Sequence, residues 1–248
     1  MVNLMLKNPN KRILVICEGN LDKDFFSIFL RKLSMNLDYG IYIYSTNIHL
    51  LGKHLEVKYF KDPFFTDDDI DIIQVLKEFK YDEVLEMKYT DILLIFDYDP
   101  QDVRYSKEIL CKLQSVFSES TNLGQLYLNY PMIESIIDFD ELPDINSKYL
   151  VKTVNVGDLK QGKYKNHVKC NSCISSFVDI SFESLQYIMH YTFKKMSILT
   201  NFDSKKYENL LIKQCEMVDS EKRLYVINTL VFFAYDYNST KFLDLIDI

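Results

Sequence analysis

The sequence predicts an α/β protein, with a Rossmann-like, mainly parallel sheet flanked by helices over residues 1–145. A Lys-rich segment and a largely helical C-terminal extension follow over 146–248. Three observations carry this reading. Apolar runs of strand length recur at 12–17, 91–97 and 124–129, and segments of helical spacing stand between them. Strands that alternate with helices are joined by crossovers and therefore lie parallel, with right-handed connections predominating. After "FDELPDINSKYL" (Phe139–Leu150) the alternation stops.

Each element follows in order. "RILVIC" (Arg12–Cys17) is a buried strand by its unbroken apolar run. From Leu21, Phe25, Phe26, Phe29, Leu30 and Leu33 recur at helical spacing, and "GIYIYST" (Gly40–Thr46) returns to strand. "EVKYF" (Glu56–Phe60) reads as another strand or as part of a long loop. "TDDDIDIIQVLKEFKYDEVLEM" (Thr66–Met87) predicts a helix, since Thr66 and the aspartates after it suit an N-terminus. Strand 91–97, helix 103–117, strand 124–129 and a short helix opened by Pro131 complete the first part. Helices around 181–199, 204–217 and 221–236 make up the extension.

A chain of 248 residues with 48% apolar side chains has enough material for a substantial core. The 26% charged and 14% aromatic fractions exclude a disordered chain. The N-terminus lacks the apolar stretch and cleavage site of a secretory leader, and no apolar run reaches the ~20 residues that span a bilayer. The expectation is a soluble, cytoplasmic protein without a membrane partner. Its five cysteines, Cys17, Cys111, Cys170, Cys173 and Cys215, are expected as reduced thiols. A formal charge of -7 opposes a general nucleic-acid coat but leaves room for a local basic groove or a bridging metal ion.

Chemistry is expected at the strand exits. Glu18 follows the first apolar run, and Asp97 and Asp99 follow the run in "DILLIFDYDPQD" (Asp91–Asp102). In parallel sheets the C-terminal strand ends share one edge, where ligands bind. Two carboxylates one residue apart present hard oxygens to magnesium, which keeps several waters and also takes substrate phosphate. Three acids close together repel one another unless a cation compensates them. Any one of these acids alone is more often an ordinary solvated strand end than a catalytic group.

"ILVICEGNLDKDFF" followed by "DILLIFDYDPQD" resembles the TOPRIM domain of topoisomerases, primases, the overcoming-lysogenisation-defect nucleases and the RloB-like and AriB-like phage-defence proteins. The likeness rests on a Glu-Gly after the first strand and an Asp-x-Asp after a later one, over roughly residues 10–140. It implies that Glu18 is a metal ligand or a general acid/base, and that Asp97 and Asp99 hold Mg2+ or Mn2+. It implies weaker roles as metal ligands for Asp102 and for Glu134 of "NYPMIESIIDF", although a Glu early in a Pro-started helix is also an ordinary N-terminal charge. No GxxxxGK[ST] phosphate loop occurs. The resemblance therefore implies a stand-alone effector, served by a separate ATPase or sensor subunit, that cleaves DNA or RNA in an antiphage or toxin-like system. The alternatives are a non-catalytic nucleic-acid-binding or regulatory subunit, or another TOPRIM phosphotransfer activity.

Two further segments stand out. "SKYLVKTVNVGDLKQGKYKNHVKC" (Ser147–Cys170) carries Lys148, Lys152, Lys160, Lys163, Lys165 and Lys169 against Asp158, with Tyr149 and Tyr164 interleaved. Lysines attract phosphate and tyrosines stack on bases, so Lys160, Lys163 and Lys165 are candidate nucleic-acid contacts, against the plainer reading of a solvated loop. "HVKCNSC" places His167, Cys170 and Cys173 at a spacing that suits zinc, with Cys215 or His190 as a fourth ligand. A single CxxC is weak evidence, and a surface turn is the preferred reading.

Overall fold

A computed structural model describes residues 11–62, 64, 66, 70–121 and 123–248. The chain divides into two compact units. The first comprises the described residues up to Leu30, Ser34–Phe96 and Arg104–Tyr127; the second comprises Arg31–Leu33, Asp97–Val103 and Leu128–Ile248.

The first unit is built on β1 (Arg12–Cys17), α1 (Asn20–Lys32), β2 (Asp38–Ile43), α2 (Ile48–Leu55), α3 (Ile72–Phe79), β3 (Asp91–Asp97), α4 (Lys107–Val116), β4 (Ser118–Glu119) and β5 (Gly124–Asn129). The sheet order is β2-β1-β3-β5-β4. β1 runs parallel to both β2 and β3, while β4 pairs antiparallel with β5. The mostly parallel sheet flanked by helices is thus present, compatible with a Rossmann-like arrangement.

β1 buries five of its six residues, with Leu14, Val15 and Ile16 wholly inaccessible. The predicted apolar face of α1 is the buried one, through Phe25, Phe26, Phe29 and Leu30. Each such side chain contributes about 1.5–3 kcal/mol on leaving water. Gly52 lets α2 meet α4 closely, since a Cβ there would lie 2.5 Å from Ile109 Cγ2.

Three local expectations are corrected. "EVKYF" is neither strand nor loop: Glu56–Phe60 is a π-helical turn continuing α2, closed by the Lys61 N–H on the Glu56 carbonyl at 3.2 Å. Val57 is 72% exposed, so the segment has no buried face to place in a sheet. The following helix starts at Ile72, because the Asp71 carboxylate accepts from the Gln74 N–H at 2.9 Å. The expected capping aspartates Asp67–Asp69 lie outside the described residues. The helix expected from residue 103 begins at Lys107, where the Ser106 hydroxyl caps the Ile109 N–H at 3.3 Å.

The second unit contains a 3-10 turn at Ile133–Ile137, then α5 (Lys148–Val151), β6 (Thr153–Asn155), α6 (Lys163–Asn171), α7 (Phe182–Thr200), α8 (Lys206–Glu221), β7 (Arg223–Tyr225), α9 (Phe232–Tyr237) and α10 (Ser239–Ile246). The short helix expected at Pro131 is that 3-10 turn. The helix expected over 221–236 forms only in its last part, as α9. Lys222, at φ +56°, ends α8 in a left-handed residue, and β7 then pairs antiparallel with β6, Tyr225 opposite Thr153. The core of this unit is aromatic, with Phe193 within 6.1 Å of Phe202, Tyr235 and Phe242 between ring centres. Among the described residues no helix is long and apolar enough to cross a membrane.

Candidate functional site

Glu18 belongs to the first unit. The residue before it, Cys17, pairs with Ile43 on one side and Ile95 on the other, so β1, β2 and β3 leave the sheet at the same edge. The Glu18 carbonyl accepts from the Ser45 N–H at 3.1 Å, and the Gly19 N–H donates to Asp22 Oδ2 at 2.9 Å. Burial, reinforced by Asp22, pushes the Cys17 thiol up to about 12. Cys17 is therefore an inert core thiol at neutral pH.

Asp97, Asp99, Asp102 and Glu134 belong to the second unit. Tyr98 is wholly buried, packs with its ring tilted against Tyr130 at 4.9 Å between centres and meets Cys215 Sγ through its hydroxyl at 3.4 Å. Its N–H is shared between the carbonyls of Asn129 and Pro131, at 3.0 and 3.1 Å. The flanking acids are thus held by a core-anchored tyrosine. Asp97 is 8% exposed and its Oδ1 accepts from the Ile133 N–H at 2.8 Å, which fixes the rotation of the carboxylate. Asp99 adopts φ +40°, a left-handed backbone that Asp tolerates better than most residues, and its Oδ1 accepts from Gln101 Nε2 at 2.9 Å. The Asp102 N–H closes the turn on the Asp99 carbonyl at 3.1 Å.

Glu134 and Lys165 form an ion pair, Oε1 to Nζ 3.2 Å. Burial disfavours the Lys165 ammonium, but the charge and hydrogen bond of Glu134, followed by Asp97 and Asp99, outweigh it and raise its pKa above the ordinary lysine value. Lys165 thus joins three of the predicted acids in one electrostatic group. Lys160 and Lys163 are exposed. Lys152 is not available to a ligand, because it bridges Asp138 at 2.6 Å and Asp140 at 2.7 Å.

The base-stacking role of the interleaved tyrosines is also corrected. Tyr149 and Tyr164 are each only 2% exposed. Tyr149 stacks on Phe139 at 4.0 Å, and Tyr164 donates its hydroxyl to Asp138 Oδ2 at 2.9 Å. An alternation of Lys and Tyr on a half-buried helix sends the rings inward and the ammonium groups outward.

The zinc-like spacing does not gather its outlying ligands. Cys215 is buried against Tyr98, and His190 Nδ1 meets the Ile246 carbonyl at 2.8 Å. His167 Nδ1 lies 3.1 Å from Asn171 Nδ2. All five cysteines are free of disulfides.

Sequence reasoning missed Asn129 at the end of β5. It is wholly buried, and neither atom of its amide has a hydrogen-bond partner; Glu134 Oε2 is likewise buried without one. Such atoms are commonly satisfied by ordered water or an ion. The only signal in the sequence is an Asn closing the otherwise apolar strand "LYLN". The oxygen donors Asp97, Asp99, Glu134 and Asn129 have the chemistry of a magnesium or manganese site. Among the described residues, however, no three His, Cys, Asp or Glu are gathered closely enough to hold a metal ion. The donor chemistry fits; the present spacing supplies no complete ligand set.

Comparison with protein-family models, with curated proteins and with solved structures finds no match for this chain.

Proposed function

We propose that this chain is a metal-dependent TOPRIM-like nuclease that hydrolyses phosphodiester bonds in DNA or RNA, as the effector of an antiphage or toxin-like system. The observation that most supports this is the Asp97-Tyr98-Asp99 segment: a buried carboxylate, a core-anchored tyrosine and a second acid on a left-handed backbone. Burying a carboxylate is costly unless something compensates it. An acid retained in that position at a strand end is a candidate for function.

In this reading Asp97 and Asp99 hold the cation, with Glu134 and Asp102 as further oxygen donors. When bound, Mg2+ or Mn2+ offsets charge on the scissile phosphate and on the leaving oxygen. The Ile133 N–H and the Gln101 amide each hold one oxygen of the two aspartates, which limits the rotation of their carboxylates. Glu18 enters on its motif alone, as a ligand or as the group that takes a proton from the attacking water. Lys160 and Lys163 supply positive charge for phosphates of the strand. A separate ATPase or sensor remains a proposed partner.

The test is cleavage of plasmid, single-stranded DNA, tRNA and ribosomal RNA, with and without magnesium or manganese, by the wild type and by Asp97→Asn, Asp99→Asn and Glu18→Gln. The Asn side chains keep the shape and the Oδ1 acceptor but lose the charge. Metal-dependent cleavage lost in folded variants supports the proposal; undiminished specific activity in all three would falsify it. The Lys165–Glu134 pair favours one second reading, a regulatory subunit that binds nucleic acid without turnover. Binding with no product under any metal would select it, whereas products other than hydrolytic ends would indicate another phosphotransfer reaction.

A further inference from the structure

Inside the second unit, β6 and α6 border a cleft of about 290 Å³ whose lining includes Thr153, Asn155, Asp158, Lys163 and His167. Its polar groups offer hydrogens rather than lone pairs. Arg223 of β7 donates to Thr153 Oγ1, which leaves the Thr153 O–H able to donate in turn. The Asn171 NH2 group donates to the His167 carbonyl at 2.8 Å, so its approach to His167 Nδ1 at 3.1 Å is also that of a donor. The ring proton therefore sits on Nε2, and His167 is a donor even when neutral. Lys163 adds an exposed ammonium and Arg223 an exposed guanidinium. The carboxylates nearby are already engaged. Asp158 Oδ2 accepts from Asn155 Nδ2 at 3.0 Å, and Asp140, which senses the His167 ring, is held by Lys152 at 2.7 Å.

We infer that this cleft binds a phosphate monoester carried on a nucleotide, whether a free nucleotide or the phosphorylated end of a nucleic-acid strand. Such a group carries about −1.5 to −2 charge at neutral pH and three strong acceptor oxygens. Two cations and two neutral donors answer that demand, whereas a bound cation would face Lys163 and Arg223 with only Asp158 to receive it. The volume is close to the lower end of the roughly 300–1,000 Å³ range of ligand clefts and admits about one nucleotide. Arg223 reaches the Lys-rich segment only through the β6–β7 ladder, where it stands opposite Asn155. The site needs neither a metal nor cleavage, so it stands or falls apart from the nuclease reading.

The experiment is done on full-length protein in EDTA, which keeps metal and cleavage out of the readout. AMP and adenosine are titrated by calorimetry, and a 3′-labelled single-stranded oligonucleotide, with and without a 5′ phosphate, is titrated by fluorescence anisotropy. Wild type is compared with Lys163→Gln, Lys163→Arg, Arg223→Gln and Thr153→Val, and each is melted to confirm its fold. AMP should bind and adenosine should not. Lys163→Gln and Arg223→Gln should each weaken AMP about tenfold, while Lys163→Arg stays close to wild type. A strand that binds more tightly with its 5′ phosphate identifies the strand end as the source; AMP binding without that preference identifies the free nucleotide. If Arg223→Gln fails to fold, Lys163→Gln, whose side chain is exposed, carries the test. Equal affinity for AMP and adenosine, AMP binding unchanged in folded Lys163→Gln, or no binding of AMP together with no effect of the 5′ phosphate overturns the proposal.

Discussion

Tyr164 and Asp138 are joined inside the second unit by a 2.9 Å hydrogen bond from the phenol to the carboxylate. Burial, followed by the charge of Asp138, raises the Tyr164 pKa well above its ordinary value, so the phenol stays protonated and donating. Lys152 holds the other carboxylate oxygen at 2.6 Å. The sequence segment that reads as a nucleic-acid tether is therefore also a support of the core.

Tyr164→Phe should keep the fold and lose about 2 kcal/mol of stability, the usual cost of a hydrogen bond to a charged group. Urea unfolding measures it. A midpoint equal to that of wild type would show that the bond contributes nothing.

Lys195 is wholly buried, donates to the carbonyls of Tyr149 at 2.7 Å and Lys152 at 2.8 Å, and lies 4.6 Å from the centre of the Tyr149 ring. Burial pushes its pKa down to about 7 against the opposing pull of Asp138 and Asp144. The unfolded chain, with an ordinary lysine, binds more protons between there and the usual lysine range. The Lys195 contribution to stability should therefore rise as pH increases from about 7 toward 10. The readout is the wild-type minus Lys195→Met difference in unfolding free energy at pH 7, 8.5 and 10. A difference that stays flat or shrinks contradicts the burial account.

Gly19→Ala should fold and melt as wild type does. Its φ lies outside the left-handed range, and an added Cβ would meet only Asp22 Oδ2, at 3.8 Å. Cleavage lost from a stable Gly19→Ala protein would mean that a substrate or ligand passes close to this backbone. A drop in melting temperature of several degrees would instead make the glycine a requirement of the fold.

Lys160→Glu with Lys163→Glu should weaken single-strand binding and flatten its salt dependence by about 1.4 in log–log slope if each lysine meets one phosphate. Neither residue is needed for Lys165 to pair with Glu134, so melting should not change. An unaltered slope removes these lysines from the interface.

The strands that bury their side chains on both faces were legible: "RILVIC", "DILLIFD" and "GQLYLN" become β1, β3 and β5 at the expected residues. β6 and β7 were not, because each has three residues and exists only through pairing between Thr153–Asn155 and Arg223–Tyr225, which no local window contains. The acids were legible as strand exits. The approach of Lys165 to Glu134 was not, since charge spacing along the chain carries no information about a partner on a distant turn. The burial of Tyr149 and Tyr164 was hidden for a different reason: the lysines around them outweigh two rings in any average over the segment.

The two edges of the first-unit sheet have consequences for association between chains. One ends in β4, two exposed residues long, too short to template an incoming strand. The other ends in β2, where the Tyr89 side chain and Val84 lie directly over Gly40. Concentrated protein should accordingly resist addition of a further strand at the β4 edge, and association through that side would have to be made by side chains.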